Sequence, residues 1–166
     1  GANQAADPIV TRYFNDKLQM VVIQRRDTGE LAIPGGMTEG DTVPQTMKKE
    51  FKEEALRYEN NSRLKQVMLD RINELFDKGG EEVFKGYVDD PRNTDNAWME
   101  TQCHHLHIHD ADLAKALPLM GGDDACHSMW LNIEEDQFSL YASHKKWVDK
   151  VKMKMQSRKR LRSNRG

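Results

Sequence analysis

Apolar residues recur along this chain with two periods, and those periods divide it into strands and helices. Leu18 to Gln24 is rich in valine and isoleucine and predicts a strand. Asp27-Thr28-Gly29 reads as a turn, and the short run Leu31-Ala32-Ile33 is stopped by Pro34-Gly35-Gly36. A helix is expected from near Thr42, where Thr42 and Gln45 have capping-box spacing and Pro44 is tolerated in a first turn. Val43, Met47, Phe51, Ala55 and Tyr58 form its apolar stripe. A second helix is expected from about Ser62 to Lys78, with Leu64, Val67, Met68, Ile72, Leu75 and Phe76 on one face and Gly79-Gly80 as its end. Glu82 to Val88 and Ala97 to His109 read as strands around a polar loop, Asp89 to Asp95. Ser128 to Ile133 predicts one more strand. A last helix from about Ser143 to Met155 carries Trp147, Val148, Val151 and Met155 on one side. Strands and helices mix without strict alternation, which implies a mixed sheet packed between helices. Trp98, Trp130 and Trp147 are expected in the core.

Composition narrows the class. The 166 residues fit one domain, and 37% hydrophobic with 31% charged residues reads as soluble and globular. No apolar run approaches the length of a membrane span. The start, Gly1-Ala2-Asn3, has neither a signal peptide's pattern nor the Arg-rich look of a transit peptide. Cys103 and Cys126 form no CxxC pair, which suits a reducing compartment. Residues 150–166 hold eight basic side chains and no acidic one, while the rest carries 17 basic against 27 acidic. An acidic body is a poor match for a nucleic-acid backbone, so no nucleic-acid partner is expected. The expected organisation is a core over residues 1–150 and a basic tail over 151–166. The tail is read as a solvated, frayed terminus, with contact to an anionic partner or membrane surface as the alternative.

The chemistry concentrates in Gly35-Gly36-Met37-Thr38-Glu39-Gly40-Asp41 and Lys49-Glu50-Phe51-Lys52-Glu53-Glu54-Ala55. Glu50, Glu53 and Glu54 share one helix face. Like charges at that spacing cost roughly 0.2–0.5 kcal/mol per pair. Glu54 falls beside the apolar stripe and is expected to be partly buried, which is costly unless a cation compensates. Hard oxygen ligands suit Mg²⁺, which prefers carboxylates together with substrate phosphates. Gly35 and Gly36 allow close backbone approach just before the helix. The plainer reading is a solvated charged face in which Lys49 and Glu53 form an i,i+4 pair.

This stretch resembles the Nudix box: a glycine, an acidic residue six positions on, then Arg-Glu-apolar-x-Glu-Glu. Gly35, Asp41, Lys49, Glu50, Phe51, Glu53 and Glu54 occupy those places. Asp41 replaces the usual Glu, Lys49 the usual Arg, and Leu56 the usual Gly. Further segments resemble the ADP-ribose pyrophosphatase branch: residues 6–12, 32–37, 53–56, 85–101, 122–125 and 140–144. That branch includes a stand-alone mitochondrial enzyme and the C-terminal Nudix homology domain of an ADP-ribose-gated melastatin-type cation channel. Leu56 is usual there, and its members carry an extra N-terminal lobe that this chain starts after.

The resemblance implies an α/β fold, the Nudix α/β/α sandwich with a mixed sheet. It implies Mg²⁺-dependent hydrolysis of ADP-ribose to AMP and ribose 5-phosphate, with Mn²⁺ as a possible substitute. The implied metal and catalytic residues are Glu50, Glu53 and Glu54, with Asp123 from a Gly-rich loop as a further catalytic candidate. The implied substrate contacts are Gly36, Phe51, Asp90, Arg92, Tyr141 and Ser143. A planar guanidinium at Arg92 suits bidentate phosphate contacts, and Ser143 is also placed as the N-cap of the last helix. The alternative is a sensor domain that binds ADP-ribose within a tetrameric channel without efficient cleavage. The first reading places the chain in the cytoplasm or mitochondria, the second at the cytoplasmic face of a membrane. His105, His107 and His109 would share a strand face, but no cysteine set accompanies them and the family has no zinc site there.

Overall fold

Strands that are apolar on both faces organise this fold. The computed structural model describes residues 3–25, 27–58, 60–89, 98–115, 126–134, 138–140 and 142–165. In chain order the elements are β1 (Asn3–Ala6), β2 (Ile9–Phe14), β3 (Lys17–Arg25), β4 (Leu31–Ala32), β5 (Gly36–Met37), α1 (Gln45–Tyr58), α2 (Ser62–Lys78), β6 (Glu81–Asp89), β7 (Trp98–His107), α3 (Ala111–Lys115), β8 (Cys126–Asn132) and α4 (Ala142–Arg165). On β3, Leu18, Met20 and Val22 enter one core cluster and Val21 the other. Ile9 and Val10 divide in the same way on β2, as do Cys103 and Leu106 on β7. Successive strand side chains point to opposite faces, so the sheet is buried on both sides. Met47 and Phe51 with Ile72, Phe76 and Leu113 cover one face from α1, α2 and α3, joined by Val43 just before α1. Trp147, Val148, Val151 and Met155 of α4 cover the other. The result is the α/β/α sandwich with a mixed sheet.

β7 is the hub. It pairs antiparallel with β6 on one edge and parallel with β1 and then β2 on the other. Ala6 pairs with Gln102 and Ile9 with His105, in one unbroken register. Asp7 and Pro8 fall at the join. The Asp7 amide still donates to the Gln102 carbonyl at 2.9 Å, but proline has no N–H to give, and the strand breaks there. Beyond the break, β1 pairs with β5 and β2 with β3, which carries β4 and β8. A buried arginine, which the sequence reading did not single out, locks the second branch. Arg12 donates from Nε to Gln19 at 2.9 Å and from Nη1 to the Ala114 carbonyl. Its guanidinium lies 4.2 Å from the Trp130 ring, and burial lowers its pKa to about 10.

Helix ends show where local signals hold. α2 spans the expected Ser62–Lys78. Asn61 caps it by accepting from the Arg63 and Leu64 amides at 2.9 and 3.2 Å. Gly79 ends it in the left-handed region at φ 71°, donating to the Phe76 carbonyl. Its expected stripe is only partly inward: Ile72 and Phe76 are buried, but Leu64 and Val67 are exposed. α1 starts later than expected. The Pro44 carbonyl accepts from the Met47 and Lys48 amides, so Pro44 is the cap, not a first-turn residue, and Thr42 lies outside the helix. α4 continues past Met155 to Arg165. Arg158 reaches both Glu81 oxygens at 2.8 and 3.1 Å, and Lys159 meets Asp16 at 3.1 Å. Val151 and Met155 enter the core as expected, and the basic stretch beyond Met155, expected as a frayed tail, is helix too. Ser143 is the second residue of α4 and not its N-cap. Among the described residues, no helix is long and apolar enough to cross a membrane.

Candidate active site

The glycine loop is held at four places before α1 begins. At Gly35 a Cβ would run into the Asp7 carboxylate, so only glycine lets the loop pass so close. Asp7 is itself fixed, since Thr101 Oγ1 donates to its Oδ2 at 2.6 Å. Gly36 pairs with Ala6, and a Cβ there would sit 3.4 Å from Pro44. The Thr38 amide donates to the Gln4 carbonyl at 3.0 Å. Gln102 Nε2 donates to the carbonyls of Gly40 and Asp41 at 3.0 and 3.1 Å. A narrow cleft of about 100 Å³ beside this loop is lined by Gln4, Gly40, Lys85, Glu100 and Gln102. Asp7, Thr101 and Gln102 were not among the sequence-predicted site residues. The signal for Asp7 was present in the Asp7-Pro8 pair, which marks a strand break.

α1 then presents its carboxylates. Glu50 and Glu53 are both exposed. Ser128 Oγ of β8 donates to Glu50 Oε2 at 3.3 Å, so this helix face lies against the β3–β8 edge. Lys49 Nζ lies 3.9 Å from Glu53 Oε1, with side chains 77% and 57% exposed. At that exposure the pair is weak and leaves the carboxylate open to another cation. Glu54 belongs to the same turn of α1, but its side chain lies outside the described residues. Phe51 is a correction. Its ring is 1% exposed and packs 5.4 Å from Phe76, so it anchors α1 to the core and offers no side-chain surface to a substrate.

The other expected contacts are distributed differently. Ser143 is half-buried in the first turn of α4. Next to it, His144 has its pKa lowered by burial, against which the Asp7 charge acts to raise it. The start of α4 and the Asp7–Gly35 contact thus lie in one neighbourhood. Asp90, Arg92, Asp123 and Tyr141 lie outside the described residues. The histidines of β7 are placed away from the carboxylates. Thr11 Oγ1 lies 2.7 Å from both His105 Nε2 and His107 Nδ1. Burial lowers the pKa of His105 to about 3 and of His107 to about 4, so both are neutral near pH 7.

The donor set bears on a metal. Glu50 and Glu53 supply only hard oxygen atoms, on the open face of one helix, beside a loop whose main chain is fixed. That chemistry fits a small divalent cation and not a soft one. Among the described residues, no group of three or more potential ligands forms a complete site. The third carboxylate of the box, Glu54, is the one whose side chain is not described.

No protein-family model matches this chain. Curated relatives do. The chain is 42% identical over 167 residues to the mitochondrial ADP-ribose pyrophosphatase of Rattus norvegicus, covering 91% of this chain and 47% of that protein. It is 45% identical over 154 residues to a Caenorhabditis elegans protein named as a nudix hydrolase, covering 92% and 55%. It is 44% identical over 164 residues to a transient receptor potential cation channel subfamily M member-like 2 of Nematostella vectensis, covering 91% of this chain and 10% of that one. The chain thus spans about half the length of the first two and a tenth of the channel. Among solved structures, Shewanella oneidensis NrtR shares the fold with a TM-score of 0.53 at 12% identity, over 92% of this chain and 63% of that one. The tied glycine loop and the carboxylate helix agree with the sequence relationship, and this chain is similar over nine-tenths of its length to an ADP-ribose pyrophosphatase and to a nudix hydrolase.

Proposed function

We propose that this domain binds ADP-ribose and hydrolyses its pyrophosphate to AMP and ribose 5-phosphate. The observation that carries the reading is on α1: Glu50 and Glu53 stand open on one helix face, Glu53 matched among the described residues by a loose lysine, next to a glycine loop held by Asp7, Gln4 and Gln102. An arrangement of like charges held ready beside a fixed main chain has a use when a cation and a polyanion arrive together. Glu50, Glu53 and Glu54 would hold Mg²⁺, or Mn²⁺ in its place. When bound, such an ion lowers the pKa of a coordinated water and offsets phosphate charge. Gly36 would bring its backbone to the substrate. Arg92 would bind phosphate through a bidentate contact and Asp90, Tyr141 and Ser143 would position the ribose and phosphates. Asp123 is the candidate to take the water's proton. The relatives' names support ADP-ribose as the substrate.

A second reading has its own observation. Lys49 stands where the Nudix pattern has arginine, and its contact to Glu53 is long and exposed. A lysine point charge orients a carboxylate less well than a guanidinium fork. Together with the channel relative, this favours a sensor that binds ADP-ribose and cuts it slowly, within a tetrameric channel at the cytoplasmic face of a membrane. The stand-alone reading places the domain in the cytoplasm or mitochondrion. Incubation of the pure domain with ADP-ribose and Mg²⁺, followed by chromatography, separates the two. AMP and ribose 5-phosphate in equal amounts support the hydrolase. Calorimetric binding of ADP-ribose without AMP supports the sensor, and neither signal removes both.

A further inference from the structure

A second cleft, of about 300 Å³, opens on the other face of the sheet from α1, between α4 and the ends of β2 and β7. Rings form one wall. Tyr13 and His107 meet edge to face at 5.3 Å, and His107 meets His109 at 4.7 Å. Cations form the other wall, with Arg158, Lys159 and Arg162 side by side on adjacent turns of α4. The buried Met155 also lines it. The acids nearby match two of these three cations. Lys159 is held by Asp16 at the cleft edge. Arg158 is drawn to Glu81 of β6. Glu134 acts on Tyr13 and Lys159 only through its field. Among the described residues, Arg162 makes no ion pair. Arg158 and Arg162 are four residues apart, so two guanidinium groups lie one turn apart on one helix face, where like charges destabilise the helix.

We propose that this cleft binds a small phosphorylated anion, with its phosphate held by Arg162 and Arg158 and its organic part against the Tyr13 and His107 rings. Guanidinium groups match phosphate oxygens bidentately, and the rings offer flat apolar faces to a sugar or heterocycle. A concave site of this size suits a nucleotide-sized ligand better than a flat surface would. His107 can accommodate the anion because Thr11 lies at its inner nitrogen, which leaves Nε2 as its other polar atom. The site is separate from the α1 carboxylates and does not depend on their role.

The test is a titration of the domain with pyrophosphate, and separately with AMP, without divalent cations, following the imidazole NMR signals of His107 and His109. Saturable shifts in both are expected. Arg162→Glu should weaken binding about tenfold or more, the loss of one charge-assisted contact. Arg162 is solvent-facing, so the fold should survive, and Lys159→Gln, with a smaller loss, is a second check. Histidine signals that neither ligand moves would overturn the proposal, as would identical titrations in Arg162→Glu. If vesicles rich in phosphatidylserine bind the wild type but not Arg162→Glu, while pyrophosphate and AMP move no histidine, the patch is a membrane-facing surface and the proposal fails.

Discussion

α1 and α4 flank the same sheet and treat their charges in opposite ways. On α4, Arg158 and Lys154 converge on Glu81 and Lys159 on Asp16, so cations are matched by acids from β6 and the β2–β3 turn. On α1, Glu50 and Glu53 stay exposed, with a serine hydroxyl and a distant lysine as their described partners. Matched charges extend a helix past the end of its apolar stripe and strap it to the body. Unmatched ones on a helix anchored by its opposite face leave room for a ligand. The same rule marks Arg162, the unmatched cation among the three that line the α4 cleft.

The largest expected effect comes from removing an unmatched charge. Glu53→Gln should cut AMP release about a thousandfold, while its melting curve stays within about 0.5 kcal/mol of wild type, as befits an exposed position. A variant that turned over normally would place Glu53 with the solvated surface charges. The opposite face of α1 should respond in the opposite sense. Phe51→Ala should cost about 3–5 kcal/mol of stability by denaturant unfolding. A loss of ADP-ribose affinity at unchanged stability would return Phe51 to the substrate site.

On α4 the matched charges should matter little individually. Glu81→Gln should cost at most about 1 kcal/mol, the ordinary value of an exposed ion pair, and raise amide exchange in residues 158–165. The Arg158 hydrogen bond holds the Glu81 carboxyl below its usual pKa. Its contribution is therefore present above the ordinary carboxylate pKa and is lost as pH falls through the lower folded value. The variant should remove that acid-side loss. Smallest is Lys49→Arg, which should raise turnover about threefold by orienting Glu53 through a fork. Unchanged turnover would make Lys49 a surface residue.

Much of this was legible in the sequence, and the gaps have physical causes. β3 shows as an apolar run because both its faces are buried, and α2 carries its glycine stop. β1 and β5 are too short to show a period, and Pro8 hides that β1 and β2 follow one line along β7. The apolar stripe of α4 ends at Met155 although the helix does not. Its extension rests on ion pairs with residues far away in sequence, which no local pattern displays. The carboxylates were legible from spacing alone. For Phe51, periodicity and family resemblance pointed to different roles, and the packing follows the periodicity. Asp7, Thr101 and Gln102 were missed because they come together only when β1, β7 and the glycine loop meet.

The central claim is that the unmatched carboxylates of α1 await a divalent cation. Titration of the isotope-labelled domain with Mn²⁺ tests it most directly, through paramagnetic broadening of backbone amide signals. The account predicts that broadening begins at residues 35–41 and 50–54, spares residues 150–165, and disappears in the double variant Glu53→Gln, Glu54→Gln. Broadening that starts elsewhere, or survives unchanged in that double variant, would contradict it.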